Sequence, residues 1–244
     1  MRLDRELTER GLFPSRAKAV DAISEGRVRV NGQTVTKNAF PVSASDVLDV
    51  DPEPDAYVSR AGLKLAAALD GFSVSPAGKT VLDVGASTGG FTDCLLRRGA
   101  KTVYAVDVGK GQLDPSLRSD PRVVSIEQTN ARYMTKDLFP LLPDMAVMDV
   151  SFISQSLIYP ALSSLLPQGG RLITLIKPQF EAGPELVGKN GIVRDPDGKK
   201  FKKILDRLQA AAAGEGLRLM QWMDSPILGG DGNREYLALF RKEN

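Results

Sequence analysis

Between Arg16 and Gly26 the apolar residues Ala17, Val20 and Ile23 recur every three positions. This spacing predicts a helix, with Ser15 as its N-cap and Gly26 as its stop. Val28 and Val30 then alternate with Arg27 and Arg29, and Asn31-Gly32 leads on to Val35. Alternation interrupted by Asn-Gly predicts a β-hairpin, here one with a basic face. Asp51-Pro52-Glu53-Pro54-Asp55 ends both periodicities, because proline blocks helix and ladder alike. A domain boundary is expected there: a small domain over 1–50, a linker over 51–58 and a second domain over 59–244. Past the linker, Ser59 is expected to cap a helix through Leu63, Ala66 and Leu69. Residues 80–84, 102–106, 146–150 and 171–176 are short, mostly apolar runs separated by helical stretches. That alternation predicts a doubly wound α/β sheet whose strands are buried on both faces. Residues 218–223 and 235–240 follow with only a glycine-rich turn near Gly229 between them, so they are expected to pair antiparallel. The polar stretch 183–200 is long enough to serve as a lid.

Composition narrows the chemistry. A chain of 244 residues, 42% of them hydrophobic, can fill one ordinary domain and one small one. A formal net charge of +2 permits nucleic-acid contact without demanding it. Cys94 is the single cysteine, so no internal disulfide forms. No basic-then-apolar leader precedes Arg2-Leu3-Asp4, and no apolar run approaches the roughly 20 residues of a spanning helix. The cytosol is therefore the expected location, without membrane contact. The chain contains no histidine, which removes Ser-His-Asp catalysis, Cys-His nucleophiles and His-ligated metals together. No metal is expected, and proton transfer falls to Lys, Asp, Glu or Tyr.

The run Asp83-Val84-Gly85-Ala86-Ser87-Thr88-Gly89-Gly90-Phe91 follows a predicted strand and opens a helix. Its glycines let backbone amides approach a ligand, and Asp107 ends the next strand 24 residues on, where a carboxylate can hold ribose hydroxyls. The spacing is D-x-G-x-x-x-G-G rather than the dinucleotide G-x-G-x-x-G, and no G-K-[ST] follows to make a phosphate loop. An aspartate at the start suits a ligand with a cationic methionine end. Asp149 and Lys177 fall at the carboxyl ends of two predicted strands, where open α/β sheets hold substrates. A structural ion pair at two strand ends would look the same in sequence.

Longer motifs carry a resemblance. They are Tyr57-Val58-Ser59-Arg60-Ala61-Gly62-Leu63-Lys64-Leu65, the turn just described with Thr92, Asp107-Val108-Gly109-Lys110-Gly111-Gln112-Leu113 and Thr129-Asn130-Ala131-Arg132. Asp149-Val150-Ser151-Phe152-Ile153-Ser154, Lys177-Pro178-Gln179-Phe180-Glu181 and Gly191-Ile192-Val193-Arg194-Asp195-Pro196 complete the set. Together they resemble the TlyA family, rRNA 2'-O-methyltransferases often labelled haemolysins and similar to FtsJ-type RNA methyltransferases. Arg2-Leu3-Asp4 through Leu12, Ser15-Arg16 and the stretch from Val28 to Gly32 resemble the S4 RNA-binding domain.

The resemblance implies a Rossmann-like class I methyltransferase sheet behind a small α+β S4-like domain. It implies S-adenosyl-L-methionine as cofactor and 2'-O-methylation of ribosomal RNA, at a cytidine, within ribosomal subunits. Lys64, Asp149, Lys177 and Glu235 match the family's catalytic set. Asp83, Gly85, Ser87, Thr88 and Asp107 match the donor pocket, with Ala86, Gly89, Gly90 and Phe91 in the same turn, Asn130 beside the adenine and Phe152 as a wall. Lys177 would be the general base, since neighbouring positive charge favours a neutral amine, or would instead steer and stabilise a developing alkoxide; Asp149 would orient it, and Lys64 and Glu235 would position the ribose and balance charge. Arg2, Arg5, Arg16, Lys18, Arg27, Arg29 and Arg60 would follow the RNA backbone, with Asp4, Glu6, Glu9 and Asp21 lying away from the hairpin. One departure stands out: where two glycines are expected before Leu63, this chain has Ala61-Gly62. As a short form of the family, the chain is expected to act on large-subunit RNA alone. Two other readings compete, a catalytically silent RNA-binding assembly factor and a haemolysin; the second would need a secretion signal or a membrane-active segment.

Overall fold

The computed structural model describes residues 1–13, 15–51, 57–182, 188, 191–195, 197–230 and 232–243. The chain divides into two compact units, Met1–Ala56 and Tyr57–Asn244. Most of the proline-rich stretch at 51–55 and much of the 183–200 loop lie outside the described residues.

In the first unit, helices α1 (Leu3–Glu9) and α2 (Arg16–Ser24) stand beside a three-stranded sheet of β1 (Val28–Val30), β2 (Gln33–Thr34) and β3 (Leu48–Val50), in the order β2-β1-β3. Ser15 caps α2, its side chain accepting from the Lys18 amide at 3.4 Å. Asn31 and Gly32 have φ of 50° and 82°, the left-handed pair that a two-residue hairpin turn requires. The stripe that α2 buries is Ala19, Ala22 and Ile23, while Ala17 is exposed and Val20 half-buried. The three-residue recurrence named one true contact, because a helical face also includes i+4 neighbours. Leu3 and Leu7 of α1, Val28 and Val30 of β1, and Val35 and Val42 complete this small core. The sequence pattern carried no signal for α1 or β3.

The second unit is a seven-stranded sheet in the order β6-β5-β4-β7-β8-β10-β9. Its strands are β4 (Thr80–Val84), β5 (Thr102–Val106), β6 (Val123–Ile126), β7 (Met145–Met148), β8 (Arg171–Ile176), β9 (Leu217–Asp224) and β10 (Tyr236–Lys242). The first five run parallel, and β10 pairs antiparallel with both β8 and β9, as expected for strands joined without a crossover. Helices α3 (Ala61–Gly71), α4 (Gly90–Arg97) and α5 (Pro115–Arg118) pack on one face, and α6 (Tyr159–Leu165) and α8 (Lys199–Gly214) on the other, with the short α7 (Pro178–Glu181) against α8. Strand alternation divides the core: Val81 faces one cluster, Leu82 and Val84 the opposite one. The expected doubly wound architecture is thus present. Strand order reverses at β4, flanked by β5 and β7, which makes the carboxyl ends of β4 and β7 the topological switch where such sheets bind ligands.

Two local expectations are corrected. Ser59 does not cap α3: Arg60 occupies the N-cap position without a side-chain hydrogen bond. The face that α3 buries is Gly62, Lys64, Leu65, Ala68 and Leu69, whereas Leu63 is 47% exposed. Gly62 is required because the Tyr57 ring lies where its Cβ would stand, 2.3 Å away. Among the described residues, no helix is long and apolar enough to cross a membrane.

Candidate active site

The turn after β4 is held by its neighbour strand. The amides of Gly85 and Ala86 both donate to the Val106 carbonyl, at 2.9 and 3.1 Å. Gly85 has φ of 81°, and a Cβ there would come within 2.5 Å of the Asp149 carbonyl oxygen, so only glycine lets the two strand ends approach. The Asp107 carboxylate closes the arrangement: Oδ2 accepts from the Ser87 amide at 2.8 Å and Oδ1 from Gly109 at 2.7 Å. Each oxygen keeps a further lone pair for a ligand.

Two cavities meet at this turn. The larger, about 430 Å³, is bordered by Asp107, Asn130, Phe152 and Ile158, and the smaller, about 160 Å³, by Thr88, Gly90, Phe91 and Lys177. Gly85, Ser87, Asp149 and Ser151 border both. Phe152 is 90% exposed with φ of 64°, its ring 4.8 Å from that of Phe180.

The four candidate catalytic side chains form two ion pairs. Lys177 Nζ lies 2.7 Å from Asp149 Oδ1 and donates to Ser151 Oγ at 2.8 Å. Lys64 Nζ lies 2.5 Å from Glu235 Oε2, with the two side chains only 9% and 3% exposed. Tyr236 stands opposite Ile176 in the β10–β8 ladder, and this register brings Glu235 to the end of β8 where Lys177 begins the next turn. The Lys177–Asp149 pair borders the cavities, whereas Lys64–Glu235 borders neither and is buried.

Asp83 and Gly89 of the glycine turn also border neither cavity. Asp83 is fully buried under the turn, accepts from Thr92 Oγ1 at 2.6 Å through Oδ2, and leaves Oδ1 without a partner. Burial pushes its pKa up to about 7. Gly89 makes room for Leu117 and Leu113, which would meet its Cβ at 2.3 and 2.8 Å.

A buried polar network escaped notice in the sequence. Gln155 Nε2 donates to the Leu175 carbonyl at 2.6 Å, and its Oε1 accepts from Thr174 Oγ1 at 2.8 Å. Glu181 accepts from Ser154 Oγ at 2.7 Å and from the Gln155 amide at 2.8 Å, and burial raises its pKa. These bonds fasten the 151–155 loop, one wall of the site, to the end of β8. The visible sign was Thr174, a polar residue inside the run Arg171–Ile176. Asn233 works similarly, accepting from the Val193 amide and donating to the Gly191 carbonyl.

The cations expected to meet RNA are mostly paired. Arg2 and Arg16 share Asp4, Arg5 meets Glu9, Arg27 meets Glu25 and Arg29 meets Asp51. Arg60, in the second unit, donates to the Leu228 carbonyl, and Lys18 is exposed. The acids Asp4, Glu6 and Glu9 pair with arginines outside the hairpin: Asp4 is 1% exposed beneath Arg2 and Arg16, and Glu6 and Glu9 pair along α1 with Arg10 and Arg5.

The FtsJ-like methyltransferase family matches this chain over residues 57–242. The chain belongs to that family. Ahead of the methyltransferase domain, the S4 domain family matches residues 1–48. A Bacillus subtilis (strain 168) protein provisionally named rRNA methyltransferase YqxC is 50% identical over 237 residues, 97% of this chain and 84% of its own length. The 16S/23S rRNA (cytidine-2'-O)-methyltransferase TlyA of Mycobacterium tuberculosis (strain ATCC 25618 / H37Rv) is 42% identical over 243 residues, 99% of this chain and 90% of its own length. A solved structure from Streptococcus thermophilus, provisionally named a hemolysin, has a TM-score of 0.77 at 44% identity, covering 100% of this chain and 89% of that one. The likeness to TlyA thus extends over almost the whole methyltransferase and S4 pair.

Proposed function

We propose that this FtsJ-like methyltransferase transfers a methyl group from S-adenosylmethionine to the ribose 2'-hydroxyl of a cytidine in ribosomal RNA, in the cytosol. The observation that supports this most is the Lys177–Asp149 pair at the switch of the sheet, Asp149 bordering both cavities and Lys177 the smaller. The residues present fit the donor: a turn in which Gly85 cannot carry a side chain, a carboxylate with free lone pairs at Asp107, and a cavity of about 430 Å³. Asp107 would hold the ribose hydroxyls, Asn130 and Phe152 would flank the base, and Ala86, Ser87, Thr88, Gly90 and Phe91 would frame the methionine end. Asp83 and Gly89 support that frame from below.

Bound S-adenosylmethionine supplies a methyl carbon made electrophilic by its sulfonium. Lys177 Nζ, held by Asp149 and Ser151, would act as the general base toward the 2'-hydroxyl. As the 2'-oxygen is methylated, Lys177 Nζ would take up the hydroxyl proton. Asp149, 2.7 Å away, pairs with the ammonium so formed. Lys64 and Glu235 are positioning residues that fix the starts of α3 and β10. In the S4 unit, Arg5, Arg27 and Arg29 exchange exposed carboxylates for phosphates, Arg2 and Arg16 offer exposed guanidinium groups above the buried Asp4, and Lys18 joins them, while Arg60 adds a cation from the second unit.

The test is transfer of labelled methyl from S-adenosylmethionine to purified ribosomal subunits that lack the modification. Label in a 2'-O-methylcytidine is expected with the intact chain, and Lys177→Ala should lower turnover by at least about 100-fold while donor binding persists. Donor binding with no transfer to either subunit would overturn the enzymatic reading in favour of an RNA-binding assembly factor.

A further inference from the structure

The methyltransferase unit has another cavity, behind the sheet edge, that the proposed reaction does not use. Phe201 near the start of α8 lies flat against Tyr236, with centroids 3.4 Å apart and planes 12° apart. Trp222, on the edge strand β9, meets both rings edge-on at 5.0 and 6.1 Å. Phe201 and Tyr236 are buried, but Trp222 is 47% exposed. With Leu205, Lys202 and Arg234 these rings border a space of about 420 Å³. Tyr236 directly follows Glu235, so this space lies toward the same end of the sheet as the ion pairs.

Its rim is basic. Four of the first five residues of α8, Lys199, Lys200, Lys202 and Lys203, are lysines. The positive end of a helix disfavours cations, and packing explains only Phe201 among these five, which is 4% exposed. Asp195 accepts from the amides of Lys200 and Phe201, and Lys199 and Lys202 pair with the exposed Asp197 and Asp206. Arg234 likewise pairs with the exposed Asp224. Such exposed pairs hold each cation only weakly. Lys200 and Lys203 have no carboxylate in ion-pair reach among the described residues. An exposed aromatic face beside loosely held cations is how proteins grip single-stranded nucleic acid, the ring stacking a base and the cations following its phosphates.

We propose that this cavity receives an unpaired nucleobase of the RNA substrate, stacked on Trp222, with the neighbouring phosphates on Lys200 and Lys203. The proposal rests on the RNA methyltransferase reading and adds a contact outside the S4 unit.

Trp222 is the chain's single tryptophan, so its fluorescence reports this site alone. Full-length protein is titrated with an eight-nucleotide oligocytidylate, overall binding is followed by anisotropy of a labelled oligonucleotide, and methyl transfer to ribosomal subunits is measured in parallel. Oligocytidylate should quench Trp222. Trp222→Ala should weaken anisotropy-detected binding about tenfold and Trp222→Phe should preserve it. The double variant Lys200→Glu/Lys203→Glu should weaken it and flatten the slope of log Kd against log salt by roughly two. Melting temperatures of the variants separate lost contact from lost folding, and Trp222→Phe with the lysine pair carries the test should Trp222→Ala not fold. Absence of quenching at concentrations where anisotropy shows binding, or absence of any binding, overturns the base site and turns the surface toward a protein partner. Quenching without methyl transfer would instead overturn the catalytic reading and leave the base site standing.

Discussion

The small unit and the sheet unit both display ion pairs, yet they use them oppositely. In the small unit most pairs are local and leave at least one partner exposed: Arg5 and Glu9 are one helical turn apart, with side chains 69% and 48% exposed. At the end of the sheet, Lys64 and Glu235 are separated by 171 residues and are 9% and 3% exposed. An exposed pair is worth little and is readily exchanged for a phosphate. A buried pair must overcome the loss of water around two charges, which only close geometry repays, so its two members depend on each other. The same residue types therefore suit a renewable binding surface in one region and a fixed scaffold for chemistry in the other.

Removing one member of the buried pair is the severest way to break this comparison. Lys64→Met should cost about 3–5 kcal/mol, read from urea unfolding, because Glu235 is left charged and buried alone. Lys64→Met/Glu235→Leu should recover most of that stability while methyl transfer stays low. A single variant as stable as the parent would erase the difference between the regions.

A smaller effect sharpens the contrast through pH. The pKa of Asp83 is raised from an ordinary 3.8 to about 7, so the folded chain keeps a proton that the unfolded chain releases between those values. Stability from this group is thus lost as pH rises from about 4 to about 7, with a slope on the order of 1 kcal/mol per pH unit, and is flat above. Asp83→Asn, which still accepts from Thr92, should remove that slope, measured as unfolding midpoints at pH 5 and pH 8. Equal pH dependence in both proteins would show that Asp83 is not held protonated by its surroundings.

The smallest expected change is in the exposed pairs. Arg5→Ala should alter stability by no more than about 0.5 kcal/mol. Its affinity for ribosomal RNA should fall, with the slope of log Kd against log salt flattening by about one, while kcat is kept. A large loss of stability would mean that this pair belongs with the buried ones.

Much of the fold was legible because it follows from short-range patterns. Apolar runs without a polar face gave the bounds of β4, β5 and β8, and Asn31-Gly32 announced its turn through the left-handed backbone it adopts. Weak or mixed patterns were not legible: β6 is partly exposed on both sides, and β3 is three residues long with the sequence Leu-Asp-Val. Lys64 could be named from a motif, but nothing local indicated that it would lie on the buried face of α3. The Gln155–Glu181 network was silent because each member looks like an ordinary polar residue until β8 and its following turn bring them together.

By itself the sequence determined the alternation of strand and helix, the glycine turn with its paired acid, the absence of histidine chemistry and the family to which the chain belongs. These depend on backbone geometry and residue type within one or two elements. Only the tertiary structure decided that four charges spread from residue 64 to residue 235 become two ion pairs, one bordering the cavities and one buried away from them. It alone decided that Asp83 lies beneath its turn, and that a lone tryptophan on the edge strand stands beside a lysine-rich helix start. Burial and partnership are properties of the folded chain, because they depend on which distant segments exclude water from a side chain, and that is settled only once the sheet has assembled.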